Sequence, residues 1–413
     1  MTGKKKFSLI LALGLITAIG PFSIDMYLPA FTNIAADLHT TVAHVSLSLS
    51  SFFIGISIGQ FIYGPLLDRF GRKRPLYVGI ILYLLASAAC AVSSSADSLI
   101  ALRFLQAMGS CAGMVASRAM VRDLFAVEDN AKVFSLLMLV VGVSPIIAPT
   151  LGGYVTASLG WHYVFILLTI LAVIVLAAVY FILPESRGPD PGYSLKPAAI
   201  IKSFWGVLII PQFYTYAFTG AVASAGLYAY ISGSPSVFME IYKVSEKQYG
   251  WIFALVAAGL IVSSQVNSIL LRKYKSEQII PVAIFCQAVG GAILFIGSAY
   301  GWIGLGGTIL LILIFLSCQG FTFPNSSALS MAPFSKNAGS ASALMGAIQM
   351  GIGAFTSALV SFLSNHTALP MTGVMLSCSV VSLFILMIGV RIIRNKASIG
   401  EVEEETVDVI YNT

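Results

Sequence analysis

Two ionisable residues lie where charge is costly. Asp25 sits near the far end of an otherwise uncharged apolar segment, 7–30, and Arg103 lies inside a second one, 98–118. An acid or a guanidinium within a membrane span is rare and is a functional candidate by default. The other sixteen acidic residues fall outside the interiors of the apolar segments. Arg103 needs a partner in hydrocarbon, and Asp25 is the one acid at comparable depth. Burial and a neighbouring guanidinium act on a carboxyl in opposite directions. A carboxyl poised between them could take up and release a proton.

The elements that must position this pair are membrane helices. Hydrophobic residues make up 58% of the 413 and charged residues 10%, with a mean hydropathy of +0.91. Soluble domains are about 25% charged. Twelve apolar segments are predicted at 7–30, 44–66, 75–94, 98–118, 133–157, 163–183, 211–237, 249–271, 278–298, 303–324, 338–363 and 370–393. Each is close to the roughly 20 residues that cross a bilayer. The run after Lys4–Lys6 is too long for the apolar core of a signal peptide and reads as a retained first helix. With both termini inside, 20 of the 23 basic residues face the cytoplasm, as the positive-inside rule requires. Net charge +6 therefore belongs to short loops and does not point to nucleic acid.

Pro, Gly and charge in PESRGPDPG mark a linker, 184–210, between six-helix halves at 1–183 and 211–393. The acidic stretch in 394–413 reads as a mobile cytoplasmic tail. Three weak internal matches support duplication. Asn130, Ala131, Ser135 and Met138 recur as Asn337, Ala338, Ser342 and Met345; LLDRFGR from Leu66 matches LLRKYKS from Leu270; Pro29 matches Pro235. The position opposite Asp25 is Ile231, so a proton site would belong to the first half alone. The five cysteines form no disulfide or CxxC pattern, the four histidines are scattered, and no metal is expected. Nucleotide-binding and nucleophile-elbow motifs are missing, which argues against an enzyme or an ATP-driven pump.

Four stretches carry further signals. Gly64-Pro-Leu-Leu-Asp68-Arg69-Phe-Gly71-Arg72-Lys73-Arg74 links helices 2 and 3. Its glycines permit a tight turn. Asp68 could pair with nearby arginines, or with the N-terminus of helix 11 near Ala338. Arg103 and Gln106 stand in LIALRFLQAMG, and Arg122-Asp123 follows that helix. Pro145, Pro149, Gly152 and Gly153 fall in one helix and should bend it and allow a close neighbour. Tyr27 follows Asp25 in SIDMYLP. Residues that could line a cavity are Tyr27, Gln106, Tyr228, Gln319, Phe323, Asn325 and Gln349.

The first stretch resembles GxLaDrxGrkx of the major facilitator superfamily, and the second resembles the family's helix-4 motif, with Ala107 where glycine is usual. The proline-glycine stretch resembles the motif found in that family's exporters. SIDMYLP, RFLQ and AMVRD narrow the resemblance to the bicyclomycin- and chloramphenicol-resistance (Bcr/CflA) drug:proton antiporters, along essentially the whole chain. The resemblance implies the all-α major facilitator fold, with twelve spanning helices in two pseudo-symmetric halves. It implies Asp25 as proton or substrate-cation carboxylate and Arg103 as its coupling partner, with Gly64 to Arg72, Arg122-Asp123 and the helix-5 motif as the conformational gate. The expected function is proton-coupled multidrug efflux, a basis of antibiotic resistance, from the bacterial inner membrane. It would be driven by the proton gradient without a cofactor, by a monomer whose partners are protons, a small amphipathic substrate and lipid. The alternative is export of a native metabolite such as an amino acid or siderophore, and less so a nutrient:proton symporter.

Overall fold

In hydrocarbon a chain segment must satisfy its own backbone polar groups, and for a lone apolar run the α-helix does so. The computed structural model describes residues 3–125, 127–192, 197–334 and 338–411, and among these it is helical throughout, without strands. The first crossing is broken. Helix α1 (Gly3–Asp25) ends at the acid itself, a 3-10 turn covers Leu28–Ala30, and α2 (Phe31–Asp37) completes it. Pro29 sits in the first turn of the 3-10 segment, where its missing N–H goes unnoticed.

Five more spans complete the first half: α3 (Val42–Phe70), α4 (Lys73–Ala91), α5 (Ala96–Leu124), α6 (Val127–Leu159) and α7 (His162–Phe181). A short helix, α8 (Pro197–Leu208), precedes the second set. These are α9 (Pro211–Pro235), extended by a π-turn at Ser236–Ile241, then α10 (Glu246–Leu270) and α11 (Ser276–Tyr300). The tenth crossing is divided at Cys318 into α12 (Leu305–Ser317) and α13 (Gln319–Met331), and α14 (Ala338–Phe362) and α15 (Leu369–Tyr411) close the order. Among the described residues eleven stretches are long and apolar enough to span, and a twelfth is the pair Ile201–Leu208 and Pro211–Ile241, bent by 89°. The linker read from composition therefore contains a helix. The tail read as mobile continues α15 to Tyr411. Of the repeat positions, Asn337 lies outside the described residues.

Packing repeats between the halves. In the first, α1 packs on α5, α6 and α7, α5 packs on α3 and α4, and α4 packs on α7. In the second, α9 packs on α13, α14 and α15, the α12–α13 pair packs on α10 and α11, and α11 packs on α15. Shifting every helix of the first half by six spans reproduces the second. The halves meet along α3 with α14 and α6 with α10, two seams exchanged by the same operation.

The bundle has two distinct ends. One carries Arg69 to Arg74 and is called here the charged end. At the far end, Thr41, Ser95 and Ser245 cap α3, α5 and α10 by accepting from a backbone N–H three residues on. The seams are tight toward both ends of the bundle. Toward the charged end a Cβ on Gly346 would come 2.0 Å from Gln60, and the Ser57 hydroxyl donates to the Ala347 carbonyl at 2.9 Å. Toward the far end Ser46 bonds Ser361, the Ser50 hydroxyl donates to Ser357 at 2.9 Å, and Cβ atoms on Gly153 or Gly250 would come within 2.8 Å of backbone across the α6–α10 seam.

Glycine requirements differ along these helices. Gly71 has φ +82° and makes the turn into α4. Gly64, expected to serve that turn, instead lies inside α3 with nothing within 4 Å of an added Cβ. Gly55 faces Ala107, and a methyl on Gly55 would come 2.7 Å from it. Close α3–α5 packing is thus kept by placing the glycine on the partner helix. At Gly152 a Cβ would meet the Met26 carbonyl oxygen at 1.8 Å. Gly152→Ala is expected to destabilise by about 1–3 kcal/mol, the usual cost of overpacking. Gly64→Ala should be neutral or stabilising by about 0.4–1 kcal/mol. Thermal unfolding in detergent checks both, and equal midpoints would contradict the α1–α6 approach.

Candidate functional site

Arg103 is wholly buried in α5. Its guanidinium lies between the rings of Tyr27 and Phe52, each 4.2 Å from the carbon centre. Desolvated cation–π pairs contribute about 2 kcal/mol or more. One terminal nitrogen donates to Gln106 Oε1 and the other to the Ser23 carbonyl at 2.8 Å, while Nε has no partner. Gln106 in turn donates to Ser87 at 2.7 Å, Ser87 donates to the Tyr83 carbonyl, and the Tyr83 and Ser23 hydroxyls are 2.7 Å apart. Tyr27 bonds Ser48 at 2.7 Å. The network ties α1, α3, α4 and α5 together. It is the partner set that the sequence reading assigned to Asp25.

Asp25 occupies the last residue of α1 and is 4% exposed. Among the described residues no hydrogen bond or ion pair reaches its carboxyl, and Arg103 grips α1 two residues earlier instead. Across the seam, Tyr228 and Tyr230 of α9 and Tyr249 of α10 are close enough for electrostatic interaction with it. Tyr230 Oη is buried without a hydrogen bond. A carboxyl so placed either holds a proton or carries charge at a large desolvation cost. The helix break matters here because α1 ends beside the carboxyl, freeing backbone next to it. The α6 motif supports the break: Gly152 lies against the Met26 carbonyl, and Gly153 and Pro149 lie against α10. Pro145 and Pro149 both stand within α6.

Several residues expected in a cavity are elsewhere. Tyr27 and Gln106 are wholly buried in the arginine network. Gln319 donates to the Ala223 carbonyl at 3.0 Å, and Asn325 bonds Asn267 and Ser276. In each case a buried polar group has been satisfied by a neighbouring helix. Tyr228 is buried at the seam, edge-on to Phe53 at 4.8 Å, with its hydroxyl donating to Met350 Sδ. Phe323 and Gln349 do line an open space of about 200 Å³ between α9, α13 and α14, towards the charged end. Most of that space opens to solvent, and its interior room is only about 10 Å³, far below the roughly 300–1,000 Å³ of a typical ligand site. Ser23, Tyr83, Phe52, Tyr230 and Tyr249 were not foreseen. Ser and Tyr at four-residue spacing in α4, on the face toward Gln106, were the available signal for Tyr83 and Ser87.

At the charged end Arg72 is buried and bonds Asp68 and Asp123, each at 2.8 Å. Burial lowers its pKa, and these bonds and charges outweigh burial and leave it raised. Asp123 also accepts from Ser186, and Arg187 is 4.0 Å from Asp68. Glu185 accepts from the backbone N–H groups of Arg72 and Lys73, capping α4, and Arg69 donates to the Asp190 carbonyl at 3.3 Å. Asp68 therefore meets the first of its two expectations, pairing with Arg72 and lying 4.0 Å from Arg187, while residues 335–337 at the entry to α14 lie outside the described residues. Arg122 is exposed and stands outside the cluster. Among the described residues no group of three metal-ligating side chains occurs.

Two helical repeats meeting on seams, with charge buried at mid-bundle, define a multi-pass membrane transporter rather than a catalytic enzyme. The family model described as Major Facilitator Superfamily matches residues 13–358, and the chain belongs to that superfamily. It is 33% identical over 383 residues to an uncharacterised MFS-type transporter, YdgK, of Bacillus subtilis, covering 92% of this chain and 94% of that one. It is 30% identical to a bicyclomycin resistance protein homolog of Haemophilus influenzae, covering 92% and 95%, and 27% identical to a chloramphenicol resistance protein of Pseudomonas aeruginosa, covering 96% and 93%. These relatives bear out the resemblance read from SIDMYLP and RFLQ. In fold it is similar to a D-xylose-proton symporter (TM-score 0.71, 14% identity, covering 92% of this chain and 97% of that one). It is also similar to an inward-facing bacterial homolog of the lysosomal transporter Spinster (TM-score 0.70, 15% identity, covering 94% and 96%).

Arg103→Lys keeps the charge but loses the planar fork and the stack. It should leave the Ser23 carbonyl or Gln106 unsatisfied, at about 1–3 kcal/mol for each group. A lower thermal unfolding midpoint in detergent is expected. An unchanged midpoint would mean that fork and stack do not hold α5 to α1.

Proposed function

We propose that this chain is a secondary active, proton-coupled exporter of small amphipathic drugs working by alternating access, with Asp25 as its proton carrier. The observation that carries the reading is the Asp25 carboxyl, buried at a helix break beside the seam between halves and bonded to nothing among the described residues. A structural acid at that depth would be paired. An unpaired one suits a group whose partner is a proton. The halves, 1–183 and 211–393, would rock about their seams, exposing Asp25 to one side and then the other. Arg103 positions the carboxyl by holding α1 at Ser23, without pairing with it.

The names of the bicyclomycin and chloramphenicol resistance relatives support drugs as the cargo. The proline-glycine stretch of α6, packed closely against Met26 and α10, supports antiport over symport. The bias of 20 of 23 basic residues supports a cytoplasmic charged end, with both termini inside, in a bacterial inner membrane. One proton entering for one neutral drug leaving gains about 2.3 kcal/mol per 100 mV of membrane potential. A tenfold concentration gradient requires about 1.4 kcal/mol, so a monomer driven by the proton gradient needs no further cofactor.

Expressed in drug-hypersensitive bacteria and tested against a chemically broad panel, the native chain should protect against some compounds and Asp25→Asn should not. In inverted vesicles an imposed pH gradient should accelerate accumulation of a protected compound by the native chain only. Full pH-driven transport by Asp25→Asn would rule out the assignment. Uptake in the opposite direction would rule out export.

A further inference from the structure

Tyr27 stands two residues from Asp25, and Tyr228, Tyr230 and Tyr249 interact with its carboxyl across the seam. Three of these four hydroxyls are committed. Tyr27 bonds Ser48 at 2.7 Å, Tyr228 donates to Met350 Sδ, and the Tyr249 and Ser234 hydroxyls are 2.8 Å apart. Tyr230 differs. Its side chain is wholly buried, with the ring stacked on Phe253 of α10 at 5.4 Å, and its hydroxyl has no hydrogen bond. Buried phenols usually find a partner, and one without it forfeits a hydrogen bond it had in water. Asp25 is the complementary exception, an acid buried in the other half with no donor among the described residues.

The surroundings of Asp25 offer few ways to carry charge. It is the last residue of α1, where the carbonyl end of the helix dipole opposes an anion. The elements packed on α1 and on the turn after it are α5, α6, α7, α9 and α10. Arg103 of α5 keeps one nitrogen without a partner, but it is not among the groups that act on Asp25, and its fork is spent on Gln106 and the Ser23 carbonyl. In α6 the charged residues Glu128, Asp129 and Lys132 stand in the first turns of the helix. His162 of α7 and Glu246 and Lys247 of α10 likewise stand at helix starts. Within the bundle α9 and α10 present only the three tyrosines. An ionised carboxylate at this place needs a donor, and Tyr230 is the neighbour whose O–H is free. The hydroxyl hydrogen turns about the C–O bond to suit an acceptor, and a bond to a carboxylate is among the stronger kinds.

We propose that Tyr230 is the hydrogen-bond donor to the ionised Asp25 carboxylate, so that loss of the proton makes a bond between the two halves. The proposal rests on Asp25 as the proton carrier. The phenol keeps its own proton throughout. The proton lost from Asp25 passes to water on the side then open, and the charge left behind accepts the Tyr230 O–H. Reprotonation removes that charge and returns the hydroxyl to the unpartnered state seen here. The halves are thus held together more firmly with the acid ionised than with it neutral, which couples the proton to their rocking. Tyr230 is a positioning residue, acting on the carrier and not on the cargo.

Infrared difference spectra test this without any drug. The full chain is reconstituted in phosphatidylethanolamine and phosphatidylglycerol vesicles, and the carbonyl band of protonated carboxyls is followed against pH. The part of that band missing in Asp25→Asn belongs to Asp25. Tyr230→Phe keeps the ring on Phe253 and removes only the hydroxyl, so its thermal unfolding midpoint should equal or exceed that of the native chain. Without the donor the carboxylate is less favoured, and the Asp25 band should persist to a pH about one to two units higher than in the native chain, the worth of one hydrogen bond to a charged group. Tyr249→Phe, whose lost hydroxyl was bonded to Ser234, should leave the midpoint in place. The same midpoint in the native chain and Tyr230→Phe would overturn the donor and leave the proton carrier standing. An equal displacement in Tyr249→Phe would also overturn it, as a general effect of hydroxyls at the seam. No Asp25-dependent band at any pH would overturn both the carrier and the bond that rests on it.

Discussion

A guanidinium with no route to water organises the first half. Arg103 can be accommodated only if rings, an amide and a carbonyl are brought to it, and the structure does this with Gln106 of its own helix, Phe52 of α3, and the Ser23 carbonyl and Tyr27 ring at the end of α1. Each of those groups is then committed. Gln106 reaches Ser87, Tyr27 reaches Ser48, and Ser23 reaches Tyr83. Removing water from a charge makes every partner count. The end of α1 is consequently held in one position, and Asp25 is held with it.

That commitment leaves the carboxyl unusual. One half supplies the arginine that fixes its helix, and the other supplies tyrosines nearby, but among the described residues no donor is spent on the acid itself. The glycines of α6 complete the arrangement from the outside. Because Gly152 has no Cβ, the backbone at Met26 can lie against α6, and because Gly153 and Gly250 have none, α6 can lie against α10. The break in α1 and the α6–α10 seam therefore share one set of close backbone approaches, so a change in either bears on the surroundings of Asp25.

The charged end follows a different logic. Arg72 is buried by the acids around it, and Glu185 to Asp190 fold back onto the α3–α4 turn before the chain departs toward α8. The connection is thus fastened to the first half by charge and to α3 and α14 by apolar packing. Composition marks this stretch as Pro- and Gly-rich, and its first part behaves accordingly, but Ile201, Phe204, Trp205 and Val207 carry helical spacing that a linker does not require.

The amino-acid sequence by itself determined the class of fold, the order of the spans, the duplication and the depth of the two intramembrane charges. These follow from the length and polarity of segments, which hydrocarbon reads one helix at a time. It also marked the glycines and prolines of α6, because a missing Cβ or N–H is a local property. Which side chains meet was decided by tertiary structure alone. Asp25 and Arg103 were natural partners by charge and depth, yet a carbonyl and two rings reached Arg103 instead. Gln319 and Asn325 were natural cavity residues by polarity, yet neighbouring helices satisfied them. A buried polar group is satisfied by whichever partner the packing brings within about 3 Å, and helix rotation and crossing, which set that distance, are not written in any single segment.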